Sequence, residues 1–300
     1  MAVFGLAHLL FELVGGAYAA IGLAEARLGP MPVAVEAVRA GFGWATGALV
    51  YLTVGVGVGV AAVRIVRHHV QGPAARPFHV LALVISAVGL VHLAGVDALD
   101  LPLGGIFRIT MTSLEHADLF EPWRQWGIGA VVAGINVLSV IVPALIVTAA
   151  AVSALPPLDG WSEASLMRRA RQVRQVVTLA AAFMVAGVLH MGAWTHWAGA
   201  LAGGQGLDVL ATTVTLFWGA AFTLMIASFY LPVAAVLRRL AEAEMYRQEI
   251  AADQRAGWLQ ARDLSFTWNQ QLPQLAAMAA PLLAGPLSEA IRASVGQLGL

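Results

Sequence analysis

Four ionisable residues lie within long apolar stretches of the sequence: His8, Glu12, His92 and His190. An ionisable side chain inside a lipid bilayer is costly, so each of the four is a candidate for a functional role. His8 and Glu12 are four residues apart and share a helix face, which allows a hydrogen bond or a proton relay between them. The competing interpretation is that the two side chains only satisfy each other near one end of the membrane.

His92 and His190 are the candidates for a cofactor site. Each follows a glycine by three residues, Gly89 and Gly187, at a similar depth in its apolar stretch. Two imidazoles that face each other across a helical bundle can ligate haem b, and the glycines would leave room for the flat macrocycle. The alternative is structural, because small residues let helices pack closely and a neutral histidine can hydrogen-bond to a neighbouring helix.

Two prolines, Pro143 and Pro232, also fall inside apolar stretches, and each follows a serine by four residues, Ser139 and Ser228. A proline inside a helix leaves the carbonyl one turn earlier without its backbone donor. Such a position produces a kink in most helices, and in some transporters the broken helix binds a cation. The sequence favours the kink.

The motifs of familiar enzyme classes are missing from the sequence. It contains no GxSxG elbow, no HExxH pair, no Walker loop and no paired intramembrane carboxylates. The chain also has no cysteine, which excludes disulfides, thiolate metal sites and cysteine nucleophiles. Enzymatic activity is therefore the least supported class of function, and no metal site is predicted.

Hydropathy predicts the elements that position these residues. The residue types AVILMFWYC make up 59% of the chain and charged residues 11%, against roughly 45–50% and about 25% in soluble domains. This composition and the long uncharged windows predict an all-α integral membrane protein with about six transmembrane helices. The predicted transmembrane domain is 1–237, with spans near 2–23, 41–63, 78–96, 126–154, 176–198 and 209–237.

The distribution of arginine predicts the orientation in the membrane. All 17 basic residues are arginine, a bias typical of GC-rich bacterial coding, and they cluster after the second span, before the fifth and after the sixth. Because short basic loops stay in the cytoplasm, the sequence predicts a bacterial cytoplasmic (inner) membrane protein with both termini inside. Indoles prefer the headgroup level, and the predicted outer ends of spans carry Trp44, Trp123, Trp126, Trp194, Trp197 and Trp218.

The last part of the chain is polar and helix-favouring, so residues 238–300 are predicted to form a short helical cytoplasmic region. Within it, residues 264–288 are uncharged but contain Pro273, Pro281 and Pro286. We interpret this run as a cytoplasmic helical hairpin or a segment packed against the membrane. A re-entrant or seventh span is the alternative.

The sequence also suggests three copies of a two-helix unit. A Gly-x-x-His pattern ends at His8, His92 and His190, each in an odd-numbered span, and the even-numbered spans resemble one another near their tryptophans and prolines. Short matches of this kind also arise by chance in a chain so rich in glycine, alanine, valine and leucine. The repeat is therefore a hypothesis, and chance similarity is the alternative.

Three functions follow from these patterns. The favoured one is an oligomeric channel, pore or transport protein in the lipid bilayer, with a cytoplasmic tail for assembly or gating. The second is a non-catalytic structural subunit of a membrane complex, and the third is a haem b electron-transfer protein with His92 and His190 as ligands. A formal net charge of zero argues against nucleic acid as a partner.

Overall fold

A computed structural model describes residues 5–11, 13–14, 32–69, 76–98, 102–117, 120–157, 160–201, 207–262, 264 and 268–297. These residues are almost entirely helical, and the described part of the chain contains no β-strand. Four of the helices are long and apolar enough to cross a membrane. They coincide with the predicted spans at 41–63, 126–154, 176–198 and 209–237, and they indicate a helical membrane protein.

The described residues form nine helical segments. α1 covers residues 5–11, and residues 13 and 14 are helical as well. The remaining helices are α2 (Pro32–His69), α3 (Arg76–Ala98), α4 (Pro102–Ala117), α5 (Pro122–Ser153), α6 (Glu163–Leu201), α7 (Leu207–Arg247), α8 (Arg255–Ala261) and α9 (Trp268–Gln297).

α6 is the central helix of the bundle. It packs against α2, α4, α5, α7 and α9. In its most apolar stretch 67% of the residues are buried, against 22–33% in the other three long helices. The other three long helices therefore turn one face to α6 and much of their remaining surface outward, as expected of helices surrounded by lipid.

Glycines bring α2 into direct contact with α6. A Cβ atom added at Gly47 would lie 3.4 Å from Cα of His190, and one added at Gly55 would lie 3.1 Å from the Phe183 ring. Near the end of the same interface a Cβ at Gly41 would lie 2.8 Å from the Trp197 ring. Residue numbers at these contacts rise along α2 as they fall along α6, so the two helices are antiparallel.

α3 lies at the edge of the bundle, where it packs mainly on α5. Its outer face exposes large apolar side chains, among them Leu83, Val88 and Val91. Exposed apolar surface of this size is compatible with a lipid or protein environment and not with water.

The end of α7 and the short α8 fold back onto the start of α6. Arg262 forms an ion pair with Glu163 at 2.6 Å, and Gln248 donates a hydrogen bond to the same carboxylate. The Arg262 guanidinium also lies over the ring of Trp258, which is buried. The polar stretch after residue 237 is thus partly a folded extension of the bundle.

α9 packs lengthwise against α7 and α6. A Cβ added at Gly219 would lie 2.6 Å from the carbonyl oxygen of Pro281, and one added at Gly285 would lie 2.9 Å from Oγ1 of Thr215. Residue numbers at these contacts rise along α9 as they fall along α7, so the two helices are antiparallel. Residues 264–288, which the sequence analysis placed in a hairpin or against the membrane, include a helix beside a predicted span.

The count of six spans and the repeat are not confirmed. Apart from the four long helices, the apolar stretches are the shorter Arg76–His92 and Leu272–Ser288, and the start of the chain is described only in part. The predicted repeat places Ser139 and Ser228 at equivalent positions. Ser139 bonds across to α2, whereas the Ser228 hydroxyl is exposed and bonds within its own helix.

The contact between α7 and α9 makes a first prediction. Gly219→Ala forces a methyl group against the α9 backbone, and overpacking of this kind costs about 1–3 kcal/mol. We expect the purified variant to have a lower melting temperature in detergent than the wild type, when unfolding is monitored by tryptophan fluorescence.

Gly57→Ala is the matched control, because nothing lies within 4 Å of a Cβ at that position of α2. It is expected to leave the melting temperature unchanged or to raise it slightly. Equal effects of the two substitutions would contradict the close packing of α9 on α7.

Candidate functional site

His190 is buried in the centre of the bundle, with 6% of its surface exposed. It projects from α6 between two aromatic rings of α2. The ring of Tyr51 is stacked at a centroid distance of 5.7 Å, and that of Trp44 lies at 6.3 Å. The close approach at Gly47, which lies between these two α2 residues, fixes the imidazole within the interface.

Tyr51 connects this histidine to α5. Its hydroxyl shares a hydrogen bond of 2.7 Å with the Ser139 hydroxyl, which in turn bonds to the carbonyl of Ile135 at 2.9 Å. Pro143 lies one turn further along α5 and offers no N–H to the Ser139 carbonyl. Ser139 therefore contributes a hydroxyl that contacts α2 and a carbonyl that receives no hydrogen bond from residue 143.

A cluster of aromatic residues lies on the other side of His190. Trp44 and Trp197 stack at 5.2 Å, and Trp194 meets both. α4 and the residue Phe120 that follows it cover the cluster. The hydroxyl of Thr110 in α4 donates to the carbonyl of Trp194 at 2.8 Å, and Phe120 meets Trp197 edge to face.

The structure differs here from the expected tryptophan belt. Trp44, Trp194 and Trp197 are buried in the protein, whereas Trp123 and Trp126 are exposed. Position along a span, which the sequence indicates, does not determine which way a side chain points around the helix axis.

Three buried polar atoms in this region have no hydrogen-bond partner in the described part of the chain: Nδ1 of His190, Nε1 of Trp44 and Nε1 of Trp197. Buried polar atoms in native proteins almost always have a partner. Their concentration around one histidine makes this region, which we call the His190 layer, the candidate functional site. It is defined by His190, Tyr51, Ser139, Trp44 and Trp197.

Further buried hydroxyls follow along α5 toward its C-terminal end. Thr148 and Ser153 are both buried and donate to the carbonyls four residues earlier in their own helix. Ser165, Arg169 and Gln172, near the start of α6, are also buried polar side chains at that end of the bundle. Polar groups therefore occur from the tryptophan cluster to the arginine-rich end.

The structure does not bring His92 and His190 together. His92 is exposed on α3, which packs on α5, whereas His190 is enclosed by α2 residues. The space beside each glycine is also filled, by the Val140 side chain at Gly89 and by the Tyr51 and Phe222 rings at Gly187. Haem ligation by this histidine pair stays a prediction without geometric support among the described residues.

The other predicted residues lie apart from the His190 layer. His8 is exposed on α1, and Glu12 lies outside the described residues, so their pairing stays a prediction. Pro232 is inside α7 on an exposed face, one turn after the exposed Ser228. Among the described residues, no group of three or more histidine, aspartate or glutamate side chains could hold a metal ion.

The sequence analysis named His190, Ser139 and Pro143 but not Tyr51, which contacts both His190 and Ser139. The signal for Ser139 was its spacing from Pro143. Tyr51 gave no signal, because only the packing of α2 on α5 shows which residue the Ser139 hydroxyl meets. Comparison of the chain with protein-family models, curated proteins and solved structures finds no match.

Proposed function

We propose that this chain is a membrane transport protein of the channel type that conducts protons along the interface of α2, α5 and α6. The observation that carries the proposal is the buried His190 beside the hydrogen-bonded hydroxyls of Tyr51 and Ser139. An ionisable side chain held at such a depth is costly, and function is the usual reason for its presence.

The chemistry of the layer suits protons better than larger solutes. Histidine is the side chain that gains and loses a proton nearest to neutral pH. Hydroxyl groups both donate and accept hydrogen bonds, so Tyr51 and Ser139 can pass a proton on without moving apart. A proton needs a chain of such groups and no wide opening, which agrees with the close contact of α2 and α6 at Gly47.

The route has polar groups on both sides of the layer. Toward the tryptophan cluster, the indole N–H groups of Trp44 and Trp197 offer hydrogen bonds to water. Toward the other end, the hydroxyls of Thr148 and Ser153 lie along α5. Water within the bundle would complete the connection between these groups.

Replacement of His190 tests the proposal directly. In proteoliposomes that contain a pH-sensitive dye, we expect His190→Gln to lower the proton flux driven by a potassium diffusion potential by about a hundredfold, a typical contribution of one positioned acid–base group. Tyr51→Phe should lower the flux as well, because it removes one hydroxyl from the chain.

His92→Gln is the matched control. His92 belongs to a predicted span at similar depth, but its side chain is exposed on α3 and is not part of the His190 layer. Its flux should equal that of the wild type. Undiminished flux in correctly folded His190→Gln, or no flux in the wild type, would overturn the proposal.

We place the protein in a bacterial cytoplasmic membrane, with its arginine-rich ends inside. Arg238 and Arg239 then fix the end of α7 on the cytoplasmic side. α9 returns antiparallel to α7, and its 30 residues measure about 45 Å against a hydrocarbon core of about 30 Å. The packing of Pro281 beside Gly219 favours a C-terminus on the outer side, which revises the expectation that both termini are inside.

Thiol labelling tests this topology, because the chain contains no cysteine of its own. We expect a cysteine appended after Leu300 to react with a membrane-impermeant maleimide in intact spheroplasts. Ala251→Cys, exposed in the connection between α7 and α8, should react only after lysis. Labelling of both sites only after lysis would place the C-terminus in the cytoplasm.

A second candidate function, a structural subunit of a membrane complex, is favoured by the outer face of α3. His92 is exposed there between apolar residues such as Val88 and Val91. A polar imidazole facing lipid is unfavourable, so contact with a protein partner would stabilise it. The same contact between copies of this chain would form the oligomer expected of a channel.

Disulfide cross-linking tests whether copies of this chain associate through the outer face of α3. We expect Val91→Cys on α3 to form a disulfide-linked dimer on mild oxidation in membranes, because one copy would meet another through this helix. Leu224→Cys on α7 is the control, since the two side chains are almost equally exposed, at 72% and 70%. No dimer with Val91→Cys, or equal dimer with both, would argue against self-association through α3.

A further inference from the structure

Arg169 is a buried cation near the start of α6, with 4% of its surface exposed. It shares a helix face with Leu166 and Val173, which are also buried. The neighbouring Arg168 and Arg171 point to the exposed side. The chain therefore holds one arginine of this cluster within the protein.

The contacts of Arg169 do not neutralise its charge. Its guanidinium donates one hydrogen bond, from Nη1 to Oε1 of Gln172 at 3.2 Å, and no carboxylate of the described residues forms an ion pair with it. Glu163 and Glu244, two carboxylates at this end of the bundle, pair with Arg262 and Arg247 instead.

Gln172 adds an unsatisfied donor beside this buried charge. Its Nε2 is buried and has no partner, although its Oε1 accepts the bond from Arg169. The nitrogen atoms of a guanidinium and of an amide can only donate hydrogen bonds. A buried charge without a carboxylate partner, next to a buried amide donor without an acceptor, is unfavourable, and a bound anion would compensate both.

We propose that Arg169 and Gln172 form a binding site for a phosphate group. Arg169 lies seven residues before the predicted span at 176–198, which is about 10 Å along the helix and therefore at the level of the headgroups. A planar guanidinium suits phosphate oxygens, because two N–H groups can bind them side by side. The phosphate can belong to a phospholipid of the cytoplasmic leaflet or be free in solution.

Native mass spectrometry of the protein released from detergent tests the lipid source. We expect the wild type to retain phosphatidylglycerol added in known amounts, and Arg169→Gln to retain about tenfold less, since a charge-assisted contact is lost. Arg168→Gln is the matched control: it removes the same charge from the next residue, which is exposed, and should retain lipid as the wild type does.

Thermal unfolding with inorganic phosphate tests the soluble source. If free phosphate is the ligand, it raises the melting temperature of the wild type and of Arg168→Gln, but not of Arg169→Met. The methionine variant removes the buried charge and keeps an apolar side chain, so it is expected to fold.

The two measurements together decide the proposal. Retention of lipid that depends on Arg169 assigns the site to a headgroup, and a phosphate-dependent melting temperature with no retained lipid assigns it to a soluble anion. Equal behaviour of the Arg169 and Arg168 variants in both measurements would overturn the site.

Discussion

The close approach of α2 to α6 is the contact on which the rest of the structure depends. Inside a bilayer the hydrophobic effect does not drive two apolar helices together, so association relies on van der Waals contact and on the few polar bonds between helices. Gly41, Gly47 and Gly55 leave their sides of α2 bare, and Trp197, His190 and Phe183 of α6 fill the space. A larger residue at these positions would push α2 away from α6. It would thereby move the Tyr51 ring away from the His190 imidazole.

The hydrogen bonds of the buried polar side chains differ between the His190 layer and the rest of the bundle. Thr148, Ser153 and Thr195 bond to carbonyls of their own helices, so they need nothing from their neighbours. The bond between Tyr51 and Ser139 joins two helices and determines how they are rotated against each other. Beside it, Nδ1 of His190 remains without a partner among the described residues, which is why our proposal of proton transfer rests on this layer.

Hydropathy was sufficient to predict the long helices, because length and lack of charge are the properties that a bilayer selects. It could not predict their rotation. Lipid tails and a protein core are equally apolar, so the pattern of side chains along a span does not show which face is buried. For this reason His92 and His190, which have similar positions in their predicted spans, were both candidates for one haem site, although His190 is buried in the bundle and His92 is exposed.

The same reasoning explains why α9 was placed outside the bundle. Its three prolines favour a break when the segment is considered alone, because each removes a backbone hydrogen bond. Pro281 instead lies where Gly219 has no side chain, so the irregular backbone of one helix meets the bare surface of the other. At the opposite end, Glu163 and Glu244 are each used by another arginine, which leaves Arg169 buried without a carboxylate partner in the described chain. Both features depend on pairs of residues distant in sequence, and neither partner alone indicates the contact.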